Sequence, residues 1–274
     1  MRGPSALIER IHHKPTRERA HLLSLAAGAP SNIHNLADVE RYFSAAAHAG
    51  FRGVTLGLHQ LCGDSRSVRR LLDVYGLECD DLASLRVTRD EEVTMTAAAQ
   101  YSEAVQELNP KGITTLFWTT VNEQSLDRLG RIADRLETTM LIEFSPGPVA
   151  TIEDAVAVVS HIGTNRAQIL LDSFHFFRSG STWQMLESLS LEHIAIVQFD
   201  DALPSTGYDY MHETTTRRTW PGSGEFPLKR FSHTLRKKGW NGPISVEVLS
   251  NQFTELSLDD FCQTAFSSSI AYWS

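Results

Sequence analysis

The sequence has few of the features that are typical of secreted proteins, membrane proteins or zinc-knuckle proteins. Its three cysteines, Cys62, Cys79 and Cys262, are far apart and form no CxxC pair, so neither a disulfide framework nor a zinc knuckle is indicated. No apolar run approaches the roughly 20 residues that span a bilayer. Residues 1–20 also lack the unbroken apolar core of a signal peptide. These absences predict a cytoplasmic protein without a membrane partner.

Positive charge is scarce as well. The chain has 25 lysines and arginines against 33 aspartates and glutamates, a formal net charge of −8, which should repel the phosphates of nucleic acids. Lysine is rare and follows none of the predicted strands, which argues against a Schiff-base aldolase. The 274 residues, 42% of them hydrophobic, are instead typical of a globular enzyme or a small-molecule binder.

Eight short apolar runs recur along the chain. Most of them start about 30 residues apart, the length that a strand, a helix and their connections require. This spacing fits a (β/α)₈ barrel or an open doubly wound sheet. The count of eight and the absence of a GxGxxG motif after the first strand favour the barrel. The strands are predicted to begin near Leu22, Gly53, Asp80, Gly112, Thr139, Ala167, His193 and Pro243.

Two stretches lie outside this repeat, so we predict an N-terminal extension over residues 1–20 and a single TIM barrel over residues 21–274. The extension contains apolar Leu7, Ile8 and Ile11 and is expected to form a helix that covers the barrel bottom or a neighbouring subunit of a homo-oligomer. A mobile tail is the alternative. Residues 200–225 are rich in proline and glycine and are predicted to form a long loop over the strand C-termini, either a functional lid or a disordered segment.

Polar side chains occur in or at the end of four consecutive apolar strands. A buried carboxylate costs several kcal/mol unless it is paired or binds a metal. Taken singly, each residue has a structural interpretation, such as a helix cap or a core amide. Taken together, oxygen ligands from adjacent strands of a barrel predict a site for one divalent ion, Mn²⁺, Mg²⁺, Co²⁺ or Zn²⁺. The four residues are Glu143, Asp172, Gln198 and Glu247.

The motifs around these residues resemble the sugar phosphate isomerase/epimerase superfamily, the xylose isomerase-like barrels. The similarity lies in IEF, LLDSFHFFRSG, IVQFDDA, RRTWPGSGEFPL and GPISVEV. It implies that His175 contacts substrate or a metal-bound oxygen and that Arg218 orients substrate oxygens. It also implies that the four oxygen-bearing residues bind one metal. Most epimerases of the superfamily have histidine where this chain has Gln198, and glutamine resembles the 3-dehydroshikimate dehydratase branch.

The resemblance implies proton transfer at a carbon next to the carbonyl of a polyhydroxylated small molecule. Glu143 and Glu247 would accept and donate the proton, and a divalent metal would polarise the carbonyl. Return of the proton gives isomerisation or epimerisation of a sugar or polyol-ketone, the reaction that we expect. Loss of a β-hydroxyl group, with His175 as the acid, gives dehydration of a cyclic hydroxy-ketone of the 3-dehydroshikimate or inosose type, which is the alternative.

Two further residues follow predicted strands and bear on the function. His59 after the second strand and Trp118 after the fourth are expected to line the substrate pocket, with a structural role as the alternative. The turn Gly222-Ser223-Gly224 is either a phosphate cradle or a simple turn. A partner-dependent or non-catalytic barrel remains open. An abasic-site endonuclease of the same superfamily is disfavoured, because it needs further metal ligands and a basic DNA groove.

Overall fold

The computed structural model describes residues 23–26, 33–207 and 209–274. Within them, eight parallel strands close into a barrel, which confirms the predicted fold. The order around the barrel is β1, β2, β3, β4, β5, β6, β7 and β10. These strands are Leu23–Leu25 (β1), Gly53–Gly57 (β2), Glu78–Val87 (β3), Gly112–Phe117 (β4), Met140–Glu143 (β5), Ala167–Asp172 (β6), Ile194–Phe199 (β7) and Ile244–Val246 (β10).

The helices surround the barrel and pack their apolar faces against the outer side of the strands. Two short strands, Asp201–Ala202 (β8) and Arg218–Thr219 (β9), pair antiparallel outside the barrel. The helices are Leu36–Ala49 (α1), Ser65–Tyr75 (α2), Glu91–Ala99 (α3), Ser102–Leu108 (α4), Glu123–Leu136 (α5), Ile152–Ile162 (α6), Ser173–Arg178 (α7), Trp183–Ser188 (α8), Tyr210–Thr216 (α9), Leu228–Lys238 (α10) and Leu258–Trp273 (α11). Short 3₁₀ turns cover Leu58–Leu61, Leu191–His193 and Asn251–Phe253.

Local sequence signals set the ends of these helices. Thr151 Oγ1 accepts a hydrogen bond from the amide of Asp154 at 3.2 Å, and Asp154 Oδ2 accepts one from the amide of Thr151 at 2.9 Å, which is a capping box at the start of α6. Gly50 ends α1 with φ 112°, a left-handed conformation that glycine adopts without steric cost. The start of α6 and the end of α1 are therefore explained by the residues found there.

The interior of the barrel is apolar on one side and polar on the other. Leu141, Leu170 and Ile196 form a small buried cluster there, separate from the main core. On the other side, the carboxyl group of Asp81 accepts hydrogen bonds from the hydroxyls of Thr55 and Thr114. The apolar side supports the ends of β5, β6 and β7, where the predicted site residues lie.

The remaining sequence predictions have mixed outcomes. Every barrel strand begins within two residues of its predicted start. Residues 200–225 are not a structureless loop, because they contain β8, α9 and β9. The predicted extension of residues 1–20 lies outside the described part of the chain. Among the described residues, no helix combines the length and the apolar character needed to cross a membrane.

Candidate active site

The four predicted metal ligands lie at one end of the barrel. Glu143 and Asp172 are the last residues of β5 and β6, Gln198 is the penultimate residue of β7, and Glu247 directly follows β10. Because all barrel strands are parallel, their C-terminal ends meet at the same face. The side chains are thus brought together as the strand spacing predicts.

His175 joins two of these carboxylates. Its Nε2 atom lies 3.1 Å from Glu143 Oε1 and 3.3 Å from Asp172 Oδ2, and ligand atoms of the three residues all lie within 4.8 Å of one another. Asp172 Oδ1 accepts the amide hydrogen of Phe174 at 2.6 Å and so caps α7, the helix that carries His175. Burial alone would lower the pKa of His175, but the negative charges of Asp172 and Glu143 outweigh it and raise that pKa.

Arg218 lies beneath the carboxylates rather than in solvent. Its Nη1 atom is 2.9 Å from Asp172 Oδ2, 2.7 Å from Asp200 Oδ2 and 3.0 Å from Glu247 Oε2. The residue is 1% exposed, and its guanidinium carbon lies 4.7 Å from the centre of the Phe174 ring. Burial would lower the pKa of Arg218, but its carboxylate partners raise it well above the ordinary value. Arg218 therefore supplies a permanent positive charge.

The site still holds more negative than positive groups. Burial raises the pKa of Asp200 to about 7 and that of Glu247 to about 8, despite the nearby guanidinium. Asp172 behaves differently, because Arg218 and His175 overcome its burial and lower its pKa. One arginine and one histidine thus do not neutralise this group of carboxyls, and an additional cation would be stabilised here.

Gln198 provides an independent indication that the site binds a cation. Its Oε1 atom is buried and has no hydrogen-bond partner among the described residues. Leaving a buried acceptor unpaired costs about 1–3 kcal/mol, so native proteins avoid it unless a ligand or water satisfies the atom. An amide oxygen beside carboxylates is a suitable donor for a divalent cation. The residues present therefore fit a metal.

The sequence of residues 43–260 matches the model of one family, described as the xylose isomerase-like TIM barrel. The chain belongs to this family. The match covers most of the chain, including all four predicted metal ligands, and it confirms the family that the motifs indicated.

Individual relatives refine the comparison. An inosose isomerase of Halalkalibacterium halodurans is 29% identical over 143 residues, 51% of this chain and 50% of that protein. A 3-dehydroshikimate dehydratase of Pseudomonas aeruginosa is 28% identical over 227 residues, 76% of this chain and 36% of that protein. The chain thus matches about half the length of the inosose isomerase. The crystal structure of an IolI protein with bound zinc has a TM-score of 0.78 at 20% identity, covering 91% of this chain and 97% of that one, and shows the shared fold.

The two predicted pocket residues of this xylose isomerase-like barrel lie at the rim of the same face. His59 is exposed in the 3₁₀ turn after β2, where its ring covers Gly57. Trp118 follows β4 and is 61% exposed, and the guanidinium of Arg86 lies 4.4 Å from the centre of its ring. Both positions are open to a bound molecule, and their contact with substrate stays a prediction.

The glycine turn of the barrel is occupied by a side chain of the protein itself. The amides of Gly222 and Gly224 both donate to Asp201 Oδ2 at 3.0 Å. A Cβ atom on Gly224 would overlap the carbonyl oxygen of Ala202, so the close approach of the two segments requires glycine there. Because these amides already bind a carboxylate, the turn orders the loop, and the phosphate-cradle interpretation is not supported.

The structure adds Asp200 and Tyr210 to the residues around the site. Asp200 Oδ1 accepts a hydrogen bond from Ser173 Oγ at 2.6 Å and Oδ2 contacts Arg218, so Asp200 ties β7 to α7. Its position just after an apolar strand was a usable signal. The hydroxyl of Tyr210 contacts His175 Nδ1 from α9. No periodicity or motif marks Tyr210, because its position depends on how the 200–225 segment folds back.

Proposed function

We propose that this chain is a divalent-metal-dependent isomerase or epimerase that moves a proton at a carbon next to the carbonyl of a polyhydroxylated small molecule. The observation that carries the proposal is the unpartnered oxygen of Gln198 among the carboxylates at the barrel mouth. The similarity to inosose isomerases supports the same reaction class and a sugar-like or polyol-ketone substrate. The acidic chain favours such a substrate over nucleic acid and fits a cytoplasmic enzyme.

The metal would be held by Glu143, Asp172, Gln198 and Glu247, and His175 lies beside the first two of these residues. Carboxylate and amide oxygens suit a divalent ion such as Mn²⁺, Mg²⁺, Co²⁺ or Zn²⁺. When bound, such an ion supplies a Lewis acid that polarises a carbonyl oxygen and stabilises developing negative charge.

The side chains of the site would perform the proton transfer. Glu143 and Glu247 follow strands three places apart around the barrel, so they approach a bound carbon atom from different sides. Burial raises the pKa of Glu247, and a raised pKa makes a carboxylate a stronger proton acceptor. A base on one side and an acid on the other is the arrangement that inverts a stereocentre or moves a carbonyl.

Dehydration is the second candidate, and His175 favours it. Its Nε2 atom faces the carboxylates, and its raised pKa lets the imidazole keep a proton for a leaving hydroxyl group. Similarity to a 3-dehydroshikimate dehydratase over 76% of this chain supports this candidate. Both reactions begin with removal of a proton beside a carbonyl and differ in the fate of the resulting anion.

Metal content is the first experiment. We expect about one divalent ion per chain in the wild type after incubation with Mn²⁺, Co²⁺, Mg²⁺ or Zn²⁺, and loss of that ion in Asp172→Asn, measured by elemental analysis. Asp127→Asn is the matched control, because this exposed carboxylate pairs only with His161 on the surface among the contacts described. No ion in the wild type would overturn the proposal. Three zinc ions per chain would instead support the endonuclease alternative.

A substrate panel then separates the two reactions. Keto-sugars, inososes and 3-dehydroshikimate are incubated with the metal-loaded enzyme in D₂O and examined by mass spectrometry. A product that has lost no atoms of the substrate except for exchange of hydrogen for solvent deuterium indicates isomerisation or epimerisation. A product that has lost one water indicates dehydration. Metal binding without turnover of any member would favour a partner-dependent or non-catalytic barrel.

A further inference from the structure

Helix α9 directs two side chains at the site. Tyr210 and Thr214 are four residues apart and therefore lie on the same face of the helix. Thr214 accepts hydrogen bonds from Arg218, through its carbonyl oxygen to Nε and through Oγ1 to Nη2, both at 3.0 Å. Tyr210 places its hydroxyl against Nδ1 of His175. One helix outside the barrel thus contacts both cationic side chains of the site.

The surroundings of His175 assign different tasks to its two ring nitrogens. Nε2 faces Glu143 and Asp172, and ionised carboxylates only accept hydrogen bonds, so Nε2 must carry a hydrogen. Nδ1 points the other way and meets Tyr210. A phenol hydroxyl donates to Nδ1 of the neutral ring and accepts from Nδ1–H of the charged ring. Tyr210 is therefore a matched partner for His175 in either state.

The ring of Tyr210 is fixed independently of its hydroxyl. Ring centres of Tyr210 and Phe174 are 5.9 Å apart, and those of Tyr210 and His175 are 5.7 Å apart. Burial, and then the charge of Asp172, raises the pKa of Tyr210, so the hydroxyl keeps its proton. Phenylalanine at this position would keep the ring contacts and lose only the hydrogen bond to His175.

The segment that carries Tyr210, residues 203–217, is tied down at several points. Glu213 Oε1 accepts hydrogen bonds from the amide and hydroxyl of Thr206 at 2.9 and 2.7 Å. Arg217 Nη2 donates to the carbonyl oxygen of Pro204 at 2.8 Å, and β8 pairs with β9 at the base. We call this segment the 203–217 excursion. Its contacts hold α9 over the C-terminal end of the barrel strands.

We propose that Tyr210 is a positioning residue that holds the imidazole of His175 with Nε2 directed at Glu143 and Asp172. Through Tyr210, the order of the 203–217 excursion is coupled to the orientation of the acid–base group in the barrel. The catalytic consequence rests on the proposed function, because it requires that His175 act on the substrate. The orientation itself is a property of the protein alone and can be measured without a substrate.

Nuclear magnetic resonance of the full chain labelled with ¹⁵N-histidine tests the orientation. The ring-nitrogen signals of His175 are identified by their loss in His175→Gln. We expect Tyr210→Phe to move these signals, because Nδ1 loses its partner, and to leave the other histidines unchanged, which also shows that the fold is intact. Tyr75→Phe is the matched control, since it removes a surface hydroxyl that contacts Glu40 at 3.2 Å. Identical His175 signals in wild type and Tyr210→Phe would overturn the proposal.

Kinetics on the best substrate of the panel test the consequence. We expect kcat to fall about 10–100-fold in Tyr210→Phe, as for partners that orient a functional side chain, with KM changed less than about twofold. A rise in KM with unchanged kcat would make Tyr210 a substrate contact and overturn the positioning role. If the wild type turns over no member of the panel, the proposed function fails, whereas the ¹⁵N signals still decide the role of Tyr210.

Discussion

Asp81 shows at the scale of one residue how the barrel interior controls a titration. Its carboxyl group is fully buried and receives hydrogen bonds from Thr55 and Thr114, with Thr114 Oγ1 at 2.6 Å from Oδ2. No positive group contacts it among the interactions described. Burial therefore dominates and raises its pKa to about 7, although the two hydroxyls oppose the shift.

This raised pKa predicts a stability change with pH. An unfolded aspartate ionises near pH 3.9, whereas folded Asp81 keeps its proton to about pH 7. Between these values the unfolded chain binds fewer protons, so the contribution of Asp81 to the free energy of unfolding falls as pH rises. The largest slope is about 1.4 kcal/mol per pH unit. Asp81→Asn removes this pH dependence. Urea denaturation should therefore show that the variant gains stability relative to wild type as the pH rises from 5 to 8.

The control for Asp81 is Asp73→Asn, an aspartate whose side chain is 67% exposed and pairs with Arg69. Its stability should run parallel to that of the wild type across the same pH range. Parallel curves for Asp81→Asn as well would show that Asp81 ionises in the folded protein as it does in the unfolded chain.

The residues that sequence could predict differ physically from those it could not. Glu143 and Asp172 lie at strand ends, and the regular strand spacing alone places them on one barrel face. The inward position of Asp81 could not be predicted in this way. The register between β2 and β3 shifts at Val54 and Thr55, so the alternation of side chains along the strand does not tell which of them point inward. Tyr210 is brought to His175 by long-range folding of the 203–217 excursion, which leaves no local pattern.

At the scale of elements, Glu213 makes several of the contacts that hold the 203–217 excursion. It accepts two hydrogen bonds from Thr206 and lies 3.4 Å from Arg217. We expect Glu213→Ala to raise the hydrogen-exchange rates of the amides in the 203–217 excursion about tenfold or more. This corresponds to a decrease of about 1.4 kcal/mol in the free energy of local opening. Barrel strands should keep their protection, because the excursion lies outside the barrel sheet.

Glu187→Ala is the control for this element. Glu187 pairs with Arg230 at 3.3 Å with both side chains more than half exposed, and such surface pairs contribute about 0–1 kcal/mol. Exchange in the excursion should not change in this variant. Uniform loss of protection throughout the barrel in Glu213→Ala would show that the excursion and the barrel unfold as one unit.

Elements were easier to predict than their contacts. Strands and helix ends follow from local chemistry, such as the Ser257–Asp260 signal at the start of α11, where the amide of Asp260 donates to Ser257 Oγ at 3.1 Å. The sequence of the 200–225 segment predicts a loop, because its prolines and glycines interrupt any periodicity. It nevertheless forms α9, since Asp209 Oδ1 accepts the amide of His212 and starts a two-turn helix.

At the scale of the whole molecule, the candidate metal site joins half of the barrel. Its four oxygen-bearing residues come from the ends of β5, β6, β7 and β10, which are consecutive around the sheet. A ligand that binds only the folded state raises the free energy of unfolding by about 2.7 kcal/mol at 100 times its Kd. Since the ligands belong to separate strands, the gain should appear as stability of the entire barrel.

Gln198→Met separates two effects on the free energy of unfolding, the destabilisation by an unpartnered buried amide oxygen and the stabilisation by a bound ion. Methionine has a similar shape without the amide, so it removes the unpartnered Oε1 that the structure leaves buried. In the presence of chelator, the variant should be more stable than wild type by about 1 kcal/mol. With a saturating divalent ion the order should reverse, because one ligand is missing and affinity falls about tenfold or more. Thermal unfolding with and without metal measures both effects.

Gln168→Met is the control, because this glutamine lies at the start of β6, at the opposite end of the strand, and donates to the carbonyl oxygen of Glu192 at 2.8 Å. It should lower stability by the same amount with and without metal, since its hydrogen bond is independent of the site. The same behaviour in Gln198→Met would mean that the protein itself or water satisfies Oε1. If the difference in stability between variant and wild type changes sign on metal binding only for Gln198→Met, the bound ion stabilises the buried amide of Gln198. The same ion would then contribute both to the stability of the barrel and to the chemistry of the site.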